Sequence, residues 1–97
     1  MDIALDQDTN HLLGEIARIL TEQHSDHEAE LLVRDYYQKF TDASYCRSIG
    51  IPVQDDDFFF HESAGGMALR IHYYLVLRGN PDPHRFIEWR TKHLGHA

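Results

Sequence analysis

Hydrophobic residues recur at helical spacing through the first 40 positions of the chain. Between Thr9 and His24 they form one stripe at intervals of three and four residues: Leu12, Leu13, Ile16, Ala17, Ile19 and Leu20. Ser25 followed three positions later by Glu28 is a capping box, which predicts a second helix from there to about Phe40. Because the link between the two helices is short, we expect an antiparallel helical hairpin.

A different period governs the segment from Met67 to Arg78. Apolar residues occupy every second position there: Met67, Leu69, Ile71, Tyr73, Leu75 and Leu77. A period of two is typical of a strand with one buried face. An aromatic run at 58–60 precedes it, and Ser63-Ala-Gly-Gly66 between the two runs suits a turn, so the pattern predicts a β-hairpin. A helix is the alternative, because Met, Ala, Leu and Arg favour helices and a short apolar run does not decide between the two.

Turn and cap signals mark the rest of the chain. Residues 41–55 show no clear period, although 49–53 are a candidate third strand. After the break at 79–83, Asp82 as cap and Pro83 at the first helical position predict a last helix. The predicted fold is therefore α+β in the order ααββα, with the helical hairpin and the C-terminal helix packed on a small antiparallel β-sheet. An all-α bundle is the alternative.

Length and composition predict one domain spanning residues 1–97. The chain is 42% hydrophobic and 26% charged, which is ordinary for a globular protein, and 97 residues suffice for one modest core. The acidic start has no basic segment followed by an apolar run, and no stretch is long enough to span a bilayer. A single cysteine, Cys46, excludes an internal disulfide. We therefore expect an intracellular, cytoplasmic protein.

Charge is unevenly distributed along the sequence. Residues 1–62 contain fourteen acidic and four basic residues, a net charge of −10, whereas residues 63–97 contain two acidic and five basic residues, a net charge of +3. An acidic surface attracts a basic partner and accelerates their encounter. The candidate partner-binding residues are the carboxylates without an obvious basic neighbour: Asp8, Glu22, Asp26, Glu28, Asp55, Asp56, Asp57 and Glu62.

Size and charge together suggest a function by analogy with a class of proteins. Small acidic inhibitors place carboxylates where a polyanion's phosphates would bind, as phage anti-CRISPR and anti-restriction proteins and nuclease-toxin immunity proteins do. The sequence contains no motif of any one such family. The first hypothesis is a non-enzymatic protein that binds and blocks a basic, nucleic-acid-binding surface of a larger partner.

Two other functions remain open. Arg70, His72, Tyr74 and Arg78 would share the outer face of the predicted strand, and cations interleaved with aromatic rings suit an anion-binding or nucleic-acid-binding module. Direct nucleic-acid binding is the less favoured hypothesis. Residues 63–97 supply only five basic side chains, which are few in a chain of net charge −7.

The third hypothesis is a small metal-dependent or acid–base enzyme. In the predicted register Asp57 lies opposite His72, and His61, the third residue of this hypothesis, lies four positions along the hairpin, about 13 Å away at the rise of a strand. His61-Glu62 resembles the start of a zinc-protease motif, but the second histidine that this motif needs is replaced by Gly65. The eight histidines are scattered without the spacing of a closed ligand set, and there is no phosphate-binding loop or nucleophile elbow. We therefore expect no catalytic site, no metal and no cofactor.

Overall fold

The computed structural model describes residues 7–94. Its helices, in chain order, are α1 (Gln7–Leu20), α2 (Asp26–Phe40), α3 (Ala43–Ser48), α4 (Asp56–Ile71) and α5 (Pro83–Leu94), and α4 continues into one turn of π-helix at His72–Val76. No β-strand occurs among the described residues. The predicted α+β fold with its antiparallel sheet is therefore wrong, and the chain adopts the all-helical alternative.

The helical hairpin is confirmed. The stripe of α1 is buried at Leu12, Leu13, Ile16, Ala17 and Leu20 and packs against α2. Ser25 caps α2, since its hydroxyl oxygen accepts the Glu28 backbone N–H at 3.2 Å, and the same hydroxyl donates to the Glu28 carboxylate at 3.1 Å. The cap satisfies one of the four free N–H groups that a helix start exposes, so a local sequence signal sufficed here.

The segment predicted as a β-hairpin is α4 with its π-helical turn. Met67, Ala68 and Ile71 are buried at helical spacing, on the side that packs against α1. Within the π-helical turn, both Tyr73 and Tyr74 are buried. A π-turn adds a residue and rotates the side chains that follow it. Because the segment buries side chains on two sides, its apolar residues imitate the period of a strand.

The predicted turn at 63–66 is a break inside a helix. Ser63 has φ 73° and ψ 168°, a conformation that interrupts α4 between its first half and the half that begins at Ala64. This region of backbone space is populated almost only by glycine. The residues that predicted a chain reversal therefore change the direction of one helix, and they do not join two strands.

Aromatic rings hold the helices together. Tyr36 and Phe40 of α2 stack at 3.9 Å between ring centroids, and the Phe40 ring lies 5.1 Å from Tyr74. Tyr74 in turn stacks on Phe86 of α5 at 5.9 Å. The Tyr36 hydroxyl donates to the Gln54 side-chain oxygen at 2.5 Å, which satisfies a buried polar pair. The core thus reaches α5 through a chain of rings.

The remaining elements follow local cap signals. Asp82 accepts the His84 backbone N–H at 2.9 Å and Pro83 is the first residue of α5, as predicted. The short helix α3 was not predicted; Asp42 caps it by accepting the Ser44 N–H at 3.1 Å, and Cys46 is its buried residue. Within residues 7–94, no helix combines the length and the apolar character that crossing a bilayer requires.

Replacement of Ser63 by glycine should stabilise the protein. A non-glycine residue in this conformation destabilises the folded state by about 1–3 kcal/mol. Glycine removes that strain, but its greater freedom in the unfolded chain cancels about 1 kcal/mol of the gain. We expect Ser63→Gly to raise the free energy of unfolding by about 1 kcal/mol, measured by urea denaturation followed by circular dichroism.

Ser44→Gly is the matched control, because it deletes the same side chain from an ordinary helical position in α3. It should lower the free energy of unfolding by about 0.5 kcal/mol. Equal destabilisation by both substitutions would contradict a strained backbone at Ser63.

Candidate functional site

The amino ends of α1 and α4 lie side by side. One open depression of about 570 Å³ is lined from α1 by Gln7, Asp8 and Thr9 and from α4 by Asp56, Asp57 and Phe60. At their other ends the same two helices meet again, where Leu20 and Leu69 line a separate cavity. The helices therefore run parallel, which places two helix amino termini at one end of the molecule.

Each carboxylate at this end has a local reason to be there. The Asp55 side chain accepts the Phe58 backbone N–H at 2.9 Å and caps α4. Asp56 accepts the Tyr37 hydroxyl at 2.6 Å, which joins α4 to α2. Asp8 and Asp57 lie in the first turns of α1 and α4, where a negative charge is favoured by the helix dipole.

These four aspartates and Phe60 form what we call the acidic end. A second depression, of about 360 Å³, is lined by Tyr37, Thr41 and the three consecutive aspartates, so both depressions share Asp56 and Asp57. Among residues 7–94, no lysine, arginine or histidine lines either one. Phe60 is 47% exposed beside the carboxylates. The arrangement offers negative charge and an aromatic face, which together suit a cationic side chain.

Three other predicted partner-binding residues lie at the opposite end. Asp26 and Glu28 are in the first turn of α2, and Glu22 is in the turn that precedes it. Fourteen residues separate Asp8 from Glu22, which corresponds to about 20 Å at the helical rise. The structure thus divides the predicted acidic set between two ends of the molecule. The further acidic positions Asp2 and Asp6 lie outside the described residues.

The eighth member of that set, Glu62, is engaged by two arginines. Its carboxylate pairs with the Arg70 guanidinium and lies 3.7 Å from Arg90 of α5. The side chains of Glu62 and Arg70 are only 17% and 12% exposed. The Arg70 guanidinium also lies over the rings of Phe58 and Phe86, at 4.8 and 4.4 Å. Glu62 therefore has a structural role and is not free to meet a partner.

The predicted anion-binding residues do not share a surface. Arg70 is in the ion pair just described, and Tyr74 is buried, which raises the pKa of its hydroxyl to about 12. His72 lines the cavity between α1 and α4, whereas Arg78 is exposed beyond the π-helical turn with φ 52°. The alternation that placed them on one face belonged to the predicted strand. Without the strand, the basic face does not form.

The three residues of the enzyme hypothesis are also apart. Asp57 lies at the acidic end, His61 is exposed on the first half of α4, and His72 lines the cavity beside Leu20. No group of three or more histidine, cysteine, aspartate or glutamate side chains within the described residues is arranged to hold a metal ion. The carboxylate–imidazole pair that this hypothesis required depended on the hairpin register.

Phe60 is the site residue that the sequence reasoning missed. Interpreting Asp55 as a cap and Asp56-Asp57 as a first helical turn would have placed Phe59 in the core and Phe60 outside. The capping preference of aspartate was the available signal. The period-two pattern that follows predicted a strand for this segment, so the capping preference of the aspartates was not taken into account.

No protein-family model, curated protein or solved structure matches this chain.

Removing the charge of Glu62 should destabilise the fold. Glu62→Gln keeps the shape of the side chain but leaves Arg70 and Arg90 without their counter-charge in a half-buried position. We expect the free energy of unfolding to fall by about 2 kcal/mol, in line with the loss of one partner of a shielded ion pair. Urea denaturation measures this change.

Glu88→Gln is the matched control for an exposed pair. Arg85 and Glu88 are 3.4 Å apart with both side chains more than half exposed. Loss of this pair in Glu88→Gln should change the free energy of unfolding by no more than about 0.5 kcal/mol. A Glu62→Gln protein as stable as the Glu88→Gln protein would show that the buried pair contributes nothing.

Proposed function

We propose that the protein is a non-enzymatic acidic binding protein that covers a basic, nucleic-acid-binding surface of a larger partner. The observation that carries the proposal is the acidic end, where Asp8, Asp56 and Asp57 line one depression with the exposed ring of Phe60 and Asp55 lines the adjoining one. A negatively charged surface is complementary to clustered arginines and lysines, and such clusters occur on proteins that bind nucleic acid.

The lack of basic side chains beside these carboxylates is the first support. In the part of the chain that the structure describes, both depressions at the acidic end lack basic lining residues. At the opposite end, by contrast, a depression lined by Asp26 and Glu30 also contains Arg18. Closely spaced negative charges repel one another, and a cationic partner relieves that repulsion. The acidic end is therefore the part of the surface best suited to electrostatic steering.

Phe60 is the second support. A large aromatic side chain that is 47% exposed beside Asp56 and Asp57 gives an arginine guanidinium a ring face to stack on and carboxylates to pair with. Arginine and aromatic residues are the commonest anchors of protein interfaces. Surfaces that bind nucleic acid are rich in arginine, because the guanidinium suits phosphates.

The distribution of carboxylates limits the size of the proposed interface. With Glu22, Asp26 and Glu28 about 20 Å away along the helices and Glu62 engaged by arginines, the proposal retains four of the eight carboxylates. The protein would cover one basic groove end-on, and it would not lie along a groove with a continuous stripe of charge. We place this encounter in the cytoplasm, since the one cysteine is a buried free thiol that needs no oxidising compartment.

Neutralising the acidic end should abolish partner binding. Asp8→Asn with Asp57→Asn removes two charges, one from each helix, while leaving the cap Asp55 and the Tyr37 bond to Asp56 in place. In a pull-down from lysate of the source organism, the wild-type protein should retain nucleic-acid-handling proteins. Retention should weaken in about 0.5 M salt, because ions screen the contact. The double variant should lose it.

Two controls sharpen this experiment. Glu22→Gln with Glu28→Gln makes the same change of charge at the opposite end and should bind as the wild type does. A nucleic-acid oligonucleotide added to the lysate should displace the protein, because both would occupy one surface. Capture that survives both the oligonucleotide and the Asp8→Asn, Asp57→Asn substitutions would refute the proposal.

A further inference from the structure

A cavity of about 230 Å³ lies at the end of the molecule opposite the acidic end. Its apolar walls come from Leu20 of α1 and from Ala68 and Leu69 of α4. Its rim is polar and includes Glu22, in the turn after α1, and two histidines. The proposed function makes no use of this cavity, yet the side chains around it are unusual.

Two histidines, His72 and His93, line one side of this cavity, and a third, His24, lies near His72. His24 lies in the turn between α1 and α2, His72 opens the π-helical turn, and His93 is in the last turn of α5. The rings of His24 and His72 are 6.5 Å apart. The Trp89 ring lies 6.2 Å from His72 and stacks on His93 at 5.0 Å with an interplanar angle of 17°. Trp89 therefore fills the space between the second and third imidazoles.

Two imidazole nitrogens in this group have no hydrogen-bond partner. Nδ1 of His72 and Nε2 of His24 are buried and contact no donor or acceptor at hydrogen-bond distance within residues 7–94. A neutral ring can keep such a nitrogen unprotonated, which leaves only a lone pair without a partner. At His72, protonation would instead bury an N–H group and a positive charge without an acceptor, which is much less favourable.

The charges around His72 act mostly in one direction. Burial lowers the pKa of His72 below its usual 6.5, and the neighbouring imidazoles of His24 and His93 lower it further. Glu22 is the carboxylate on the same cavity rim. On its own helix, the charge of Arg70 is paired with Glu62.

The sign of the pH dependence follows from this direction. Because the pKa of His72 is lower in the closed protein than in an open or unfolded one, the open form takes up the proton more readily. The closed arrangement is fully favoured above pH 6.5, the ordinary histidine value, and loses stability as the pH falls from there towards the depressed pKa.

The attachment of α5 determines which part can open. Phe86, near the start of the helix, is fully buried and packs on Tyr73 and Tyr74. Trp89 is only half-buried, and His93 is exposed at the cavity rim. The first turns of α5 are therefore anchored in the core. Its last turns rest on the imidazole group and on one longer ion-pair contact, 3.7 Å from Arg90 to Glu62, which has to break when they separate.

We propose that His24, His72 and His93, with Trp89 between the last two, form an acid-sensitive latch that holds the end of α5 against one side of this cavity. With neutral imidazoles, the C-terminal half of α5 lies against α4. Protonation of His72 places a charge in the wall of the cavity beside two other imidazoles, and the last turns of α5 separate from α4 while Phe86 stays anchored. The cavity, whose rim already meets solvent at Glu22 and His93, then widens on the side of α5.

Trp89 reports directly on this movement, because it is the only tryptophan of the chain. We would measure quenching of its fluorescence by acrylamide between about pH 8 and pH 5, the range in which histidine titrates. The quenching constant of the wild-type protein should rise with acid, with a midpoint below pH 6.5, while far-ultraviolet circular dichroism keeps its helical signal. His72→Gln should hold the quenching constant at its pH 8 value, and His72→Asn is the second variant if the first does not fold.

Two further variants separate the latch from simpler effects. Protonated His93 stacked on Trp89 would change its emission without any movement. In His93→Gln the acrylamide quenching constant should still rise with acid, because His72 remains. His84→Gln, an exposed histidine in the first turn of α5, should behave as the wild type does. A quenching constant that does not change with pH in the wild type, or one that rises equally in both His72 variants, would overturn the proposal.

Discussion

The ion pair of Glu62 with Arg70 is the interaction on which the arrangement of this protein depends. Its two residues belong to opposite halves of α4, so the pair spans the backbone break at Ser63 and sets the direction of one half relative to the other. Arg90 joins the pair from α5, and the Arg70 guanidinium covers the Phe86 ring. Desolvated charges of this kind are favourable only when each is paired, so the break, the pair and the position of α5 require one another.

This constraint separates the two ends of the molecule. The first half of α4 carries three aspartates and Phe60 towards the amino end of α1, where they form the acidic end. The second half carries His72 to the other end of α1, against Trp89 and His93 of α5. The proposed partner surface and the proposed latch thus occupy the two ends of one broken helix. Because the ion pair lies between them, it holds the spacing of both.

Local signals were reliable where the residues that form a structure are close in sequence. Ser25 with Glu28 and Asp82 with Pro83 predicted the starts of α2 and α5, since a cap needs only neighbouring groups. The same kind of signal at Asp55 was overlooked, because the alternation after Met67 appeared to decide for a strand. That alternation arose from Met67 and Ile71 facing the hairpin while Tyr73 faces α5. Only knowledge of what lies on each side of the segment distinguishes such a helix from a half-buried strand.

The amino-acid sequence by itself determined the helical hairpin, the last helix and the excess of acid in the first 62 residues. Those features depend on caps, on helical spacing and on composition, all of which are local. Tertiary structure alone decided that Glu62 pairs with arginines, that Asp8 meets the aspartates of α4, and that Trp89 lies between two histidines from distant segments. Charges and rings separated by dozens of residues become neighbours only through packing, and packing also decides which of them stay exposed to act.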